Sequence, residues 1–153
     1  MTETTMMTAA RVTPWHLWTV GVLSLLWNGF GAYDFVMSLT QREVYWRASG
    51  MTDAMITYYN AMPTWMYGPW VLGVWGAVAG SVLLLMRSRF AVHAFALSLV
   101  GAVISLVYGA IIDRAPPPPP EMAFMAYMPY AIAAIAAALA WYAWTMRSKG
   151  VLS

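Results

Sequence analysis

Four polar side chains stand where an otherwise oily chain would be expected to exclude them. Asn28 and Asp34 lie in Trp27-Asn28-Gly29-Phe30-Gly31-Ala32-Tyr33-Asp34, and His16 and His93 sit near the starts of two apolar runs. A polar group among hydrocarbon must find a partner, either on a neighbouring helix or in a bound solute. Asn28 thus has two readings: an interhelical hydrogen bond to Ser24, Ser98 or Ser105, or a site for a solute or ion. Asp34 reads as an interfacial acid paired with Arg42 across a helix end, because proton or cation carriage would need a second buried acid and no other acid falls in an apolar run. Two histidines on facing helices are the ligand set of haem iron or of a chlorophyll-type magnesium, which makes His16 and His93 the cofactor candidates. An interfacial histidine is more ordinarily just solvated, so no cofactor is predicted.

Other chemistry is excluded by residue type. The chain has no cysteine, which removes disulfides, thiolate metal sites and cysteine nucleophiles. Neither a Ser/His/Asp set, nor paired carboxylates, nor a phosphate-binding glycine loop, nor a metal-spaced cluster is present, so the sequence predicts no enzyme and no metal centre. The net charge of +2 and pI near 9.0 arise from basic residues scattered at run ends, which favours lipid headgroups over nucleic acid as partners.

The elements that carry these side chains follow from hydropathy. Of 153 residues, 61% are hydrophobic and 9% charged, against roughly 25% charged in a soluble domain. Four apolar runs, Trp15–Asp34, Trp70–Met86, Ala91–Ile112 and Pro129–Met146, each approach the roughly 20 residues that a helix needs to cross a bilayer. None alternates as a membrane strand would. The expected fold is all-α: a single four-transmembrane-helix bundle over 1–153, with helices at about 15–38, 66–87, 91–112 and 123–146. An outer loop spans 39–65 and a proline-rich outer loop 113–122. Within the first loop Thr52 is placed to cap a short amphipathic helix opened by Asp53 and stopped by Pro63, with Met51, Met55, Ile56, Tyr59 and Met62 to one side. At about 1.5 Å per residue from Trp15, Asn28 lies about 20 Å deep and Asp34 near the far interface.

Small residues predict where helices meet. Gly73, Ala77 and Ser81 recur every fourth residue, with Gly76 and Gly80 beside them, and Ser98, Gly101 and Ser105 fall on neighbouring faces of the third run. Such rows let backbones approach where no hydrophobic effect draws helices together. Pro116–Pro120 must be an extended polyproline segment. Tryptophans and tyrosines gather at run ends, as interfacial belts do, and this accounts for most of the aromatic content. With four crossings the termini share a side; five basic residues there (Arg11, Arg87, Arg89, Arg147, Lys149) against three opposite (Arg42, Arg47, Arg114) predict cytoplasmic termini. The first run, preceded by Glu3 and Arg11 and lacking a small-residue cleavage site, reads as a retained anchor.

The segments Trp27–Phe35, Met62-Pro63-Thr64-Trp65 and Gly73–Ser81 resemble a family of small four-helix inner-membrane proteins of alphaproteobacteria, whose members often carry an automatic sugar-transporter label. The resemblance covers roughly the first half of the chain. It implies a bacterial inner-membrane location and supplies no catalytic residues. Three functions then compete. The one the sequence favours is a non-catalytic accessory or scaffold subunit that packs on a larger membrane complex, or on itself, through small-residue faces. The second is a small-solute, sugar-like transporter acting as an oligomer. The third is a binder of lipid, quinone or pigment in aromatic grooves between helices.

Overall fold

The computed structural model describes residues 12–153. Glu3 and Arg11, which entered the reading of the first segment and of its charge, lie outside the described residues. The described chain is all-helical, with no strand. Among the described residues six α-helices occur: α1 (Trp15–Thr40), α2 (Glu43–Ala48), α3 (Asp53–Asn60), α4 (Tyr67–Leu85), α5 (Ala91–Val107) and α6 (Met128–Ser148). Four helical stretches among the described residues are long and apolar enough to cross a membrane: α1, the 22 residues Thr64–Leu85, the 22 residues Ala91–Ile112 and the 29 residues Pro120–Ser148.

Local chemistry sets the ends of these elements. The last stretch is 3₁₀ from Pro120 to Tyr127 and becomes α-helical only at Met128. Pro129 has no N–H to bond the carbonyl four residues back and its ring crowds that carbonyl, so an α-helix starts there rather than runs through. The boundary expected at 123 therefore moves inward to Met128. The stretch that begins with α5 ends in a wider π-helical turn, Tyr108–Ile112, instead of remaining α-helical to Ile112. Between α2 and α3, Gly50 adopts φ +82°, a left-handed conformation that glycine enters at little cost, and Met122 Sδ sits close against it.

One end of the bundle gathers both described termini. His16 Nδ1 and the Tyr142 hydroxyl share a 2.6 Å hydrogen bond, and Arg87 Nη1 donates to Thr13 Oγ1. The tail lies along the α4–α5 turn, with Arg89 N–H donating to Ser153 O and Ser153 N–H to Arg87 O. Beneath this seam Leu17, Leu84, Ala91, Phe95, Ala143 and Met146 form the main apolar core. The opposite end carries α2, α3 and the proline segment.

The helices pack in the order α1 on α4, α4 on α5 and α5 on α6. The ring is not closed, since α1 and α6 meet only sparsely away from the His16–Tyr142 end. That open seam creates the site described next.

Candidate functional site

The small residues of α4 and α5 explain why these two helices lie so close. A Cβ on Gly101 would run into the Pro69 carbonyl and come within 2.5 Å of Gly73 N, and one on Gly76 would stand 3.1 Å from Ala94 O and Ser98 N. Gly73 faces the Ala102 and Gly101 backbone, and Gly80 seats the Phe95 ring. Ser98 donates to Gly73 O at 2.6 Å, tying the helices where their backbones are nearest. Thus Gly73, Gly76, Gly80, Ser98 and Gly101 are spent on contacts within the chain. Ala77 and Ser81, on another face of α4, receive α1. Ser105 is half-buried and borders a cavity.

Asn28 is 9% exposed at mid-length of α1, and its amide nitrogen donates to both Ala77 O, at 3.2 Å, and Ser81 Oγ, at 2.9 Å. Ser81, fully buried, sends its own proton to Ala77 O at 2.9 Å. The network fixes the amide orientation. Ala77 O can only accept, and Ser81 has committed its proton, so the NH₂ must face α4 and Oδ1 must face away. The partners are therefore not Ser24, Ser98 or Ser105. Ser24 bonds back to Gly21 O in its own helix, and α5, which holds the other two, packs on α4 and α6 rather than on α1.

Asp34 also differs from expectation. Its Oδ1 accepts from the Tyr45 hydroxyl at 2.8 Å, while Arg42 donates to Asn60 Oδ1 at 3.0 Å and Asn60 donates to Glu43 Oε1 at 2.9 Å. The backbone gives the reason. α1 continues to Thr40, and Arg42 takes φ +43°, reversing the chain so that α2 brings Tyr45, not Arg42, over Asp34. Burial, and then the Asp34 carboxylate, push the Tyr45 phenol above its ordinary pKa.

The two histidines have separate partners. His16 turns toward Tyr142 on α6, and exposed His93 lies against the Phe90 ring at 6.0 Å. Among the described residues no group of three or more His, Asp or Glu side chains converges.

What sequence reasoning did not find is a cavity of about 850 Å³ among α1, α4, α5, α6 and the loop layer. It reaches from Tyr45, Tyr58 and Arg114 at the loop end down to Asn28, Ala136 and Leu139. Seven methionines line it, four from the first loop region (Met51, Met55, Met62, Met66) and three from the segment before and at the start of α6 (Met122, Met125, Met128). A second hollow of about 350 Å³, bounded by Val20, Leu23, Ser24, Trp27, Ile135 and Leu139, continues along the α1–α6 seam. Pro116, Pro117 and Pro118 form part of the rim. The loop layer is pinned by Trp46 Nε1 donating to Ser38 Oγ and by Tyr58 donating to Asp113 O. Burial, with Asp113 nearby, pushes the Tyr58 phenol up to about 12. The methionine spacing in the sequence was the available signal, yet methionines at helical spacing look the same whether they fill a core or line a void.

Pockets that bind small molecules typically enclose about 300–1,000 Å³ with mostly apolar walls and a few placed polar groups. The cavity has that size and lining, and Trp27, Ile135 and Leu139 border both it and the smaller hollow on the α1–α6 seam. No protein-family model matches the chain, and neither a curated protein nor a solved structure matches it.

Proposed function

We propose that the protein binds a lipophilic small molecule of the lipid or quinone class inside a membrane, admitting it sideways between α1 and α6. The observation that carries this reading is the methionine-lined cavity of about 850 Å³, which shares Trp27, Ile135 and Leu139 with the hollow on the α1–α6 seam. Flexible, polarizable thioethers suit walls that accommodate rings and chains of varied shape. A sugar-like transport substrate fits less well, since a polyol needs many hydrogen bonds and the lining is largely apolar. The membrane we propose is a bacterial inner membrane with cytoplasmic termini, supported by the basic-residue bias and by the resemblance drawn from Trp27–Phe35. Solvent extraction of protein purified in mild detergent tests the reading: a lipophile recovered near one per chain is expected, whereas only bulk lipid in bulk proportions would refute it.

The accessory-subunit reading remains as a second proposal, with its surface moved. Because the small-residue rows of α4 and α5 are occupied internally, self-association or docking would use the outer face of α1. There a Cβ at Gly29 would meet nothing within 4 Å, and Leu26 and Tyr33 are exposed. Cross-linking through a cysteine placed at Leu26 would detect a neighbouring subunit.

A further inference from the structure

The cavity holds one polar atom whose chemistry is restricted. The Asn28 amide nitrogen is turned to α4, where Ala77 O and Ser81 Oγ both accept from it, and no described side chain or backbone group donates to its Oδ1. Among the described residues every fully enclosed side-chain nitrogen or oxygen has a hydrogen-bond partner. Asn28 Oδ1 has none, so it is not enclosed. Asn28 lines the cavity, and with its nitrogen on α4 its oxygen is the amide atom left for that space. The result is an acceptor at the deep end of a largely apolar chamber, with its amide nitrogen held on α4.

We infer that Asn28 Oδ1 is the recognition point of this cavity and that it selects ligands presenting an O–H or N–H donor: a phenol, a quinol or another hydroxyl-headed lipophile rather than its ketone, quinone or ether counterpart. The inference rests on the proposed ligand-binding function and deepens it. A hydroxyl that meets an acceptor regains the hydrogen bond it gave up on leaving water. A carbonyl or ether oxygen would instead meet another lone pair, with neither oxygen satisfied. Ser81 enforces the selectivity from behind, because its proton is already on Ala77 O and it must take the Asn28 N–H, which holds the amide from turning its donors toward the cavity. The surrounding Trp27, Trp70 and Phe95 rings, with the methionine thioethers, supply apolar contact to a ring.

The test compares two probes of nearly equal shape, a decyl-substituted hydroquinone and its dimethyl ether, by titration calorimetry against the full chain in detergent micelles. The hydroquinone is expected to bind about three- to tenfold more tightly, the ratio that one net hydrogen bond of about 1 kcal/mol provides. In Asn28→Ala the two probes are expected to bind alike; that variant strands no α4 group, because Ser81 still bonds Ala77 O. Equal binding of both probes to the unaltered protein would overturn the donor selectivity while leaving the cavity function standing. A hydroquinone preference that survives in Asn28→Ala would overturn the assignment to Asn28. Failure of both probes to bind the unaltered protein would instead refute the ligand-binding function itself. Should Asn28→Ala not fold, the comparison on the unaltered protein still decides the selectivity.

Discussion

Tyr45 on α2 donates its phenolic proton to Asp34 Oδ1 near the end of α1, 2.8 Å away, and both residues border the cavity. This bond fastens the loop layer to α1 beside the chamber. Replacing Tyr45 with Phe removes the donor and leaves a carboxylate in a partly buried place. The expected outcome is a loss of about 1 kcal/mol with faster hydrogen exchange in α2, while the exchange of α4 and α5 stays as it was. Mass spectrometry of deuterium uptake checks it, and unchanged exchange in α2 would show that the bond does not hold the layer.

A second consequence concerns alkaline pH. The Tyr58 phenol ionises near 10 when unfolded and is pushed up to about 12 in the fold, by burial first and then by the charge of Asp113. Between these values the unfolded chain loses the proton while the folded chain keeps it, so stability falls as pH rises. The contribution is fully present below about pH 10 and is lost by about pH 12. Thermal unfolding in detergent from pH 9 to pH 12 is expected to show this decline, and Tyr58→Phe is expected to flatten it.

The Asn28 bonds to Ser81 and Ala77 join α1 to α4. Interhelical hydrogen bonds of this sort contribute about 0.6 kcal/mol on average and up to about 1.7. Asn28→Ala, which removes both, is expected to lower stability by about 1–2 kcal/mol in denaturant titration. Ser81→Ala leaves Asn28 bonded to Ala77 O and is expected to lower it by less. A larger loss in Ser81→Ala than in Asn28→Ala would contradict the network as described.

Two glycines are expected to respond in opposite directions. At Gly101 an added methyl would meet the Pro69 carbonyl and the Gly73 backbone, neither of which can swing aside. Gly101→Ala should force α4 and α5 apart and cost about 1–3 kcal/mol, as overpacking does. At Gly29 the space is open, and Gly29→Ala should stabilise α1 by about 0.5–1 kcal/mol through its better helix propensity. Unfolding of the two variants in the same detergent checks the contrast. A loss of native cross-linking in Gly29→Ala would point to a partner helix at that notch.

The four membrane-capable helices were legible in the sequence because their signal is additive: twenty apolar residues in a row have few other uses. Pairwise contacts were harder to read. That Asn28 needs a partner follows from its type, but choosing Ser81 over Ser98 requires knowing that α1 packs on α4. Asp34 invited a pairing with Arg42 on grounds of charge, and one left-handed residue, Arg42 itself, redirected the chain to Tyr45. The cavity left least trace, because a void is a property of packing. Met51, Met55, Met62 and Met66 show their thioethers in the sequence but not whether anything fills the space between them.

The claim on which the account depends is that the chamber holds a ligand. Native mass spectrometry of the full chain released from native membranes in mild detergent tests it most directly, with Gly31→Trp as the companion variant. Gly31 lines the chamber and an added Cβ there meets nothing within 4 Å, so a bulky side chain starts from open space beside the proposed ligand. A discrete one-to-one adduct is expected on the unaltered protein and its loss in Gly31→Trp. An unaltered protein that flies bare, or an adduct retained equally in the filled variant, would contradict it.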